Sequence, residues 1–134
     1  MLFILNRKLM RIRHQSDNAE NILQIAVNTM QEGKGKDVIS LNLSKIMSAV
    51  TDYFVICHGS SHTQVDAIAG KIVENVKKEC GAIPYNKEGF ENSEWILIDY
   101  VDVVIHVFLD TTRKFYHLED LWADAELVSY TEED

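Results

Sequence analysis

The turn Gly59-Ser60 separates an apolar stretch from an amphipathic one, which is a common place for a phosphate-binding loop. Backbone N–H groups at the start of a helix attract anions. Enzymes that transfer nucleotidyl groups follow such a pair with two metal-binding carboxylates one residue apart, whereas only Asp66 follows here. The pattern favours a tight turn with a helix cap. The alternative is a divergent nucleotidyltransferase-fold enzyme using Gly59-Ser60 and Asp66.

Cys57, His58 and His62 are close enough in sequence to suggest a metal site. A structural zinc usually needs four ligands, and Cys80 lies a helix length away, roughly 25 Å. Cys57 is also a weak candidate nucleophile, because cysteines within apolar strands are usually inert core residues. We therefore predict no metal and no cofactor.

Two further polar positions, Asp99 with Asp102 and His106, could take part in acid–base chemistry. The two aspartates flank a short turn, where Asp is common for conformational reasons. A lone histidine within an apolar strand is more often packed or hydrogen-bonded than catalytic. The residues thus predict no catalytic site, and we expect a protein that is not an enzyme.

The last third of the chain carries a group of residues of the types that dominate binding hot spots. They are Trp95, Tyr100, Phe108, Arg113, Phe115, Tyr116 and Trp122. Phe115 and Trp122 lie seven residues apart, so helical periodicity predicts that both fill the core. Trp95 shares a strand face with Asp99, and we expect it to be partly exposed because that face carries a carboxylate.

The charge of the chain limits its partners. The 134 residues include 13 basic and 21 acidic ones, a formal charge of −8, although Arg7, Lys8, Arg11 and Arg13 make the start basic. An acidic body repels phosphate, so we expect no direct nucleic-acid binding, and it favours a basic protein partner. The apolar runs are too short to cross a membrane. Two cysteines and no secretory signal predict a cytoplasmic protein.

Periodicity and caps predict the elements of the first half. A helix over 18–32 ends at Gly33, and a strand covers 38–43. Residues 44–51 form a short helix or a loop, and 52–58 a strand covered on both faces. A capping box at Ser61-x-x-Gln64 then begins a helix that ends at Gly81.

The second half contains an edge strand over 83–86 and a hairpin of 95–100 with 103–108. A last helix starts at Thr111 or Thr112 and runs through Trp122, and an acidic tail beyond Asp124 is frayed. The order predicts an α/β (α+β) fold, a mixed β-sheet flanked by helices in a single domain. We expect a loose N-terminal extension over 1–16, the domain over 17–125 and the acidic tail over 126–134.

The ordered set of short motifs over residues 17–125 resembles the ribosomal silencing factor family, also called Iojap. The matching motifs are Asp52-Tyr53-Phe54-Val55-Ile56, Gly59-x-Ser61, Gln64, Ala67-Ile68-Ala69, Glu88-Gly89, Trp95-Ile-Leu-Ile-Asp99-Tyr100, Asp102-Val-Val-Ile-His106-Val-Phe108 and Arg113-x-Phe115-Tyr116-x-Leu118-Glu119-x-Leu121-Trp122. Each motif alone is unspecific, whereas their order is specific.

The resemblance implies a nucleotidyltransferase-like topology without transferase activity. It implies a homodimer that binds the large ribosomal subunit through its protein number fourteen. Bound there, such a factor sterically blocks association with the small subunit and represses translation when nutrients are scarce. A dimeric adaptor for another partner is a further alternative.

Carried onto matching positions, the resemblance implies a partner-binding surface formed by Trp95, Tyr100, His106, Phe108, Arg113 and Tyr116. Trp95 and Tyr100 have opposite parity, so they cannot share one flat sheet face. Two positions depart from the family pattern. Val101 replaces a usual Gly, and we expect a turn with ordinary φ there, while Asn42 replaces a usual acid.

Overall fold

The computed structural model describes residues 18–130, which contain three α-helices, one 3-10 helix and six strands. The helices are α1 (Asn18–Glu32), α2 (His62–Cys80) and α3 (Asp110–Tyr116), followed by the 3-10 helix Leu118–Trp122. The strands are β1 (Lys36–Asn42), β2 (Tyr53–Gly59), β3 (Asn86–Glu88), β4 (Trp95–Asp99), β5 (Val103–Leu109) and β6 (Glu126–Ser129). The predicted extension over 1–16 lies outside the described residues.

The strands form one mixed sheet in the order β3-β4-β5-β2-β1-β6. β2 and β5 are parallel, and every other neighbouring pair is antiparallel. Parallel neighbours need a long crossover connection, which here runs through α2, β3 and β4. The predicted α+β fold with a mixed sheet and the 95–108 hairpin are confirmed. β3 is an edge strand as predicted, but it begins at the last residue of the predicted 83–86 segment.

Both long helices pack on one face of the sheet. Ala26 and Met30 of α1 and Ile72 of α2 are fully buried against strand residues such as Val55 and Ile105. The helical spacing of these apolar residues is what buries them together. None of the helices within 18–130 is long and apolar enough to cross a bilayer.

The capping residues predicted for α2 are confirmed. Ser61 Oγ accepts the Gln64 backbone N–H at 3.1 Å. The Gln64 side chain reaches back to the Ser60 N–H at 2.8 Å, one residue earlier than in the usual capping box. At the other end Gly81 takes the left-handed conformation, φ 69, and its N–H donates to the Lys77 carbonyl.

A second, smaller core lies on the opposite, outer face of the sheet. Its buried residues are Ile39, Leu41, Leu43, Ile56 and Phe108. The chain after β1 covers it with Ile46 and Ala49, and the C-terminal segment covers it with Leu118 and Trp122. The outer face is therefore built from pieces that are distant in sequence.

The predicted single final helix is wrong, because it breaks at His117. That residue has φ 48, and its N–H donates to the Arg113 carbonyl as a left-handed cap. A non-glycine residue in this conformation ends an α-helix. Phe115 and Trp122 therefore do not share one helical face. Phe115 is 78% exposed, contrary to the predicted core position, whereas Trp122 packs half-buried on the outer face.

The expectation of a frayed acidic tail is wrong for residues 126–129, which form β6. This strand pairs antiparallel with β1, with Val128 opposite Ser40. The next residue anchors it, because the Tyr130 N–H donates to the Val38 carbonyl at 2.8 Å. The Tyr130 hydroxyl also lies 3.0 Å from Ser40 Oγ. Pairing satisfies the backbone groups of β1, which outweighs the polar composition of the tail.

The hairpin turn also differs from the expectation, because Val101 has φ 75. The left-handed region costs a non-glycine residue about 1–2 kcal/mol. Two buried contacts hold it there. The Asp99 carboxylate accepts the Val101 N–H at 2.8 Å, and Thr51 Oγ1 donates to the Val101 carbonyl at 2.9 Å. Asp99 is only 2% exposed, so the argument that its carboxylate keeps that strand face open is wrong.

Gly89 and Gly70 provide a matched pair of glycine-to-alanine tests. Gly89 has φ +89, and a Cβ there would lie 2.0 Å from the Trp95 carbonyl oxygen, while a Cβ at Gly70 in α2 meets nothing within 4 Å. Gly89→Ala should lower the free energy of unfolding by at least about 2 kcal/mol. Gly70→Ala should raise it by about 1 kcal/mol. Urea denaturation measures both, and changes of the same sign would contradict the structure.

Candidate docking surface

The aromatic side chains of β4, β5 and β2 meet on the outer face of the sheet. Trp95 lies opposite Phe108 in the antiparallel register, with ring centroids 4.9 Å apart. His106 follows on the same face, stacked 6.2 Å from Phe108 and edge-on to Phe54 at 4.7 Å. Alternation along the strands explains this, because residues two apart share one face.

The C-terminal segment extends this group toward solvent. Tyr116 lies 5.0 Å from Trp95, Phe115 lies 5.0 Å from Tyr116, and Trp122 lies 6.0 Å from Phe54, all between ring centroids. We call the resulting group the aromatic face. It consists of Phe54, Trp95, His106, Phe108, Phe115, Tyr116 and Trp122.

The aromatic face has a buried base and an exposed rim. Phe108 is fully buried and His106 is 3% exposed. Trp95 is half-buried, while Tyr116 and Phe115 are 52% and 78% exposed. Leu121, in the adjoining 3-10 helix, is 74% exposed. Several large apolar side chains exposed close together are typical of an interaction surface.

Arg113 is buried, at 7% exposed, so it is not part of the exposed rim, contrary to its predicted place on the surface. Its Nε donates to Glu119 at 3.2 Å and its Nη1 to the Asp37 carbonyl at 2.8 Å. The same Nη1 donates to His58 Nδ1 at 3.0 Å, since a guanidinium cannot accept. Arg113 thereby ties α3, which carries Phe115 and Tyr116, and the 3-10 helix to β1 and β2.

Tyr100 lies on the other side of the sheet, so its predicted place on the partner surface is also wrong. It is 7% exposed and packs in the core beneath the helices. Burial raises the pKa of its hydroxyl above the ordinary value. The prediction that Trp95 and Tyr100 cannot share a face is confirmed.

His106 lies below the surface and makes one specific contact. The Trp95 indole N–H donates to its Nδ1 at 3.0 Å. The imidazole is therefore neutral with its proton on Nε2. Burial lowers the pKa of His106 from 6.5 to about 3, in agreement with that assignment. His106 and Phe108 are buried, so they lie beneath the rim and not in it, contrary to their predicted place on the surface.

Of the six predicted surface residues, only Trp95 and Tyr116 reach solvent. Sequence reasoning missed Phe115, which it placed in the core, and Leu121, which it placed on a regular helix. The break at His117 exposes both side chains. The signal that could have located the break is His117 itself, because His is one of the non-glycine types enriched in the left-handed conformation, but that enrichment alone does not identify a helix end.

The Gly59-Ser60 turn takes part in structural contacts, and the Cys57 thiol is buried. The Ser60 N–H donates to the Gln64 side chain, whose amide also donates to the Gly33 carbonyl, and Asp66 is exposed on α2. Burial raises the pKa of the Cys57 thiol to about 12, which keeps it protonated and inert. Among residues 18–130 no group of three His, Cys, Asp or Glu side chains is placed to hold a metal.

A family model described as "Ribosomal silencing factor during starvation" matches residues 16–134. The chain belongs to this family. The "Ribosomal silencing factor RsfS" of Halalkalibacterium halodurans is 44% identical over 109 residues, which are 81% of this chain and 92% of that protein. Family membership confirms the resemblance stated from the motifs.

A solved bacterial structure and a relative from outside bacteria are also similar to this chain. A crystal structure of a protein from Chromobacterium violaceum has 33% identity and a TM-score of 0.72, covering 86% of this chain and 88% of that one. The "Mitochondrial assembly of ribosomal large subunit protein 1" of Mus musculus is 32% identical over 102 residues, 75% of this chain and 44% of that protein.

Removing the buried guanidinium tests the role of Arg113. Arg113→Met leaves the Glu119 carboxylate and the Asp37 carbonyl without their donor, and should lower the free energy of unfolding by about 3 kcal/mol. Glu119→Gln should cost less. The double variant should lose at least about 1 kcal/mol less than the sum, because the two side chains share one contact. Urea denaturation gives all three values, and additive losses would show that the pair does not interact.

Acid should destabilise the fold through His106. Its pKa in the folded protein lies below the ordinary value of 6.5, so the unfolded chain binds the proton more readily. The free energy of unfolding should be highest above about pH 6.5 and fall as the pH decreases toward 3. Urea denaturation between pH 7 and 4 measures this, and His106→Asn should flatten the profile. An equally steep profile in that variant would refute the assignment.

Proposed function

We propose that the protein binds the large ribosomal subunit through its protein number fourteen and sterically blocks association with the small subunit. Translation is thereby repressed when nutrients are scarce. The observation that carries this proposal is the exposed aromatic rim of Trp95, Phe115 and Tyr116 on a chain of the ribosomal silencing factor family. The name of the mouse relative, which refers to the large subunit, supports the choice of subunit.

The chemistry of the rim suits a protein partner. Trp and Tyr are the types most often found at the energetic centre of an interface, where they bury much area with few rotatable bonds. Trp95 rests on the buried ring of Phe108 and against Tyr116, so its position is set before a partner arrives. A preformed contact loses less conformational entropy on binding.

The charge around the rim favours a basic partner. Glu94 precedes Trp95, and Asp120 and Asp124 lie on either side of Trp122 in sequence, all three exposed. With a formal charge of −8, the chain attracts a basic ribosomal protein at long range and repels RNA phosphates. The proposal therefore uses contact with protein and no direct contact with nucleic acid.

The proposed action is steric and makes or breaks no covalent bond. The engaged Gly59-Ser60 turn and the protonated Cys57 thiol support a role that is not enzymatic. A homodimer and a cytoplasmic location belong to the same proposal, the first from the family resemblance and the second from the free cysteines.

Two tyrosines allow a matched test of the docking surface. Tyr116, 52% exposed, lies in the rim, whereas Tyr85, 39% exposed, precedes the edge strand β3. Tyr116→Ala should weaken binding to isolated large subunits by about 2 kcal/mol, or roughly 30-fold. Tyr85→Ala should bind like the unaltered protein. Co-sedimentation with separated subunits measures both affinities.

The same preparations test the steric step. Added to separated subunits, the unaltered protein and Tyr85→Ala should reduce the yield of joined ribosomes in a sucrose gradient, and Tyr116→Ala should reduce it less. Failure of the unaltered protein to bind large subunits, or binding without an effect on joining, would rule out the proposed function.

A further inference from the structure

The side-chain hydrogen bond between Trp95 and His106 links the exposed rim to the buried base of the aromatic face. We infer that His106 is a positioning residue, whose Nδ1 accepts the Trp95 indole N–H and fixes the orientation in which that ring meets the partner. This inference rests on the proposed function, because a fixed ring matters only where the ring makes a contact. It assigns His106 a role beneath the surface rather than on it.

The register of the hairpin explains why these two side chains meet. Trp95 pairs with Phe108, and Leu97 pairs with His106, so Trp95 and His106 are diagonal neighbours on one face. Diagonal neighbours in an antiparallel pair are within reach when one side chain is large and aromatic. The donor and acceptor nitrogens are 3.0 Å apart, a normal hydrogen-bond distance.

The two partners differ in how tightly they are held. His106 is 3% exposed and has Phe54 edge-on at 4.7 Å and Phe108 stacked at 6.2 Å, so its ring cannot turn without disturbing the outer core. Trp95 is half-buried, and its ring contacts with Phe108 and Tyr116, tilted at 32° and 50°, set where the indole lies but leave its N–H without a partner of their own. The hydrogen bond at 3.0 Å is the directional contact that adds a fixed orientation to this packing.

The stability of the fold does not explain why a histidine occupies position 106. Once Nδ1 accepts from Trp95, Nε2 carries the proton, and this buried atom has no hydrogen-bond partner in the described part of the chain. A buried donor without a partner destabilises the fold, whereas Phe or Leu would fill the same space without that cost. Residues that disagree with the needs of folding tend to serve function.

Three substitutions of His106 distinguish the effect of its hydrogen-bond acceptor from the effect of its ring. His106→Phe keeps a ring and removes the acceptor, whereas His106→Asn keeps an acceptor oxygen at the position of Nδ1. His106→Phe should lower the affinity for isolated large subunits about tenfold, because the indole must then be ordered on binding. His106→Asn should stay within about threefold of the unaltered protein. If His106→Phe fails to fold, His106→Leu replaces it as the variant without an acceptor.

A spectroscopic readout tests the hydrogen bond without the ribosome. The chain has two tryptophans, so a nitrogen–proton correlation spectrum shows two indole signals, and Trp122→Phe identifies the one from Trp95. In the unaltered protein and in His106→Asn, the Trp95 signal should lie downfield and exchange slowly with water. In His106→Phe the Trp95 signal should move upfield and exchange fast with water. A cooperative urea denaturation of the same variant serves as the control that it is still folded.

The outcomes distinguish the inference from the proposed function. An unchanged Trp95 signal in His106→Phe, or binding equal to that of the unaltered protein, overturns the positioning role. If the unaltered protein does not bind large subunits at all, the proposed function fails. The indole signal then still decides whether His106 orients Trp95.

Discussion

The buried guanidinium of Arg113 is the contact on which the outer face of this protein depends. The helix α3 has seven residues and the 3-10 helix five, too few to be stable by themselves. Arg113 ties both to the sheet through Glu119, the Asp37 carbonyl and His58. It acts together with the packing of Leu118 and Trp122 on the outer core and of Tyr116 against Trp95.

The two faces of the sheet differ in the size and composition of their cores. The face beneath α1 and α2 is a large apolar core that includes Tyr100, and it supplies most of the buried area. The outer face is smaller, and each side of the sheet has buried polar atoms without a hydrogen-bond partner in the described residues: the Tyr100 hydroxyl beneath the helices, and His106 Nε2 and Glu119 Oε2 on the outer side. The larger number of buried apolar side chains lies beneath the helices, whereas the smaller outer core also carries the exposed aromatic rim.

The residues of the predicted docking surface fall into two groups, an exposed rim and buried residues that support it. Trp95 and Tyr116 reach solvent, whereas His106, Phe108 and Arg113 hold them from below and Tyr100 belongs to the other face. A family motif identifies which positions matter, but contact residues and their supports are equally constrained by function. The burial of each side chain in the folded protein is what distinguishes the two groups.

Local patterns were sufficient for α1, α2, the caps of α2, the 95–108 hairpin and the family, because those features depend on residues near one another in sequence. The break at His117, the φ of 75 at Val101 and the pairing of β6 with β1 were decided by tertiary contacts. Each is a conformation or segment with weak local preference, which a distant partner stabilises: Arg113 with the Asp37 carbonyl, Thr51 with the Val101 carbonyl, and the open edge of β1. The exposed surface follows from these long-range contacts, and so it was the part that sequence reasoning placed least well.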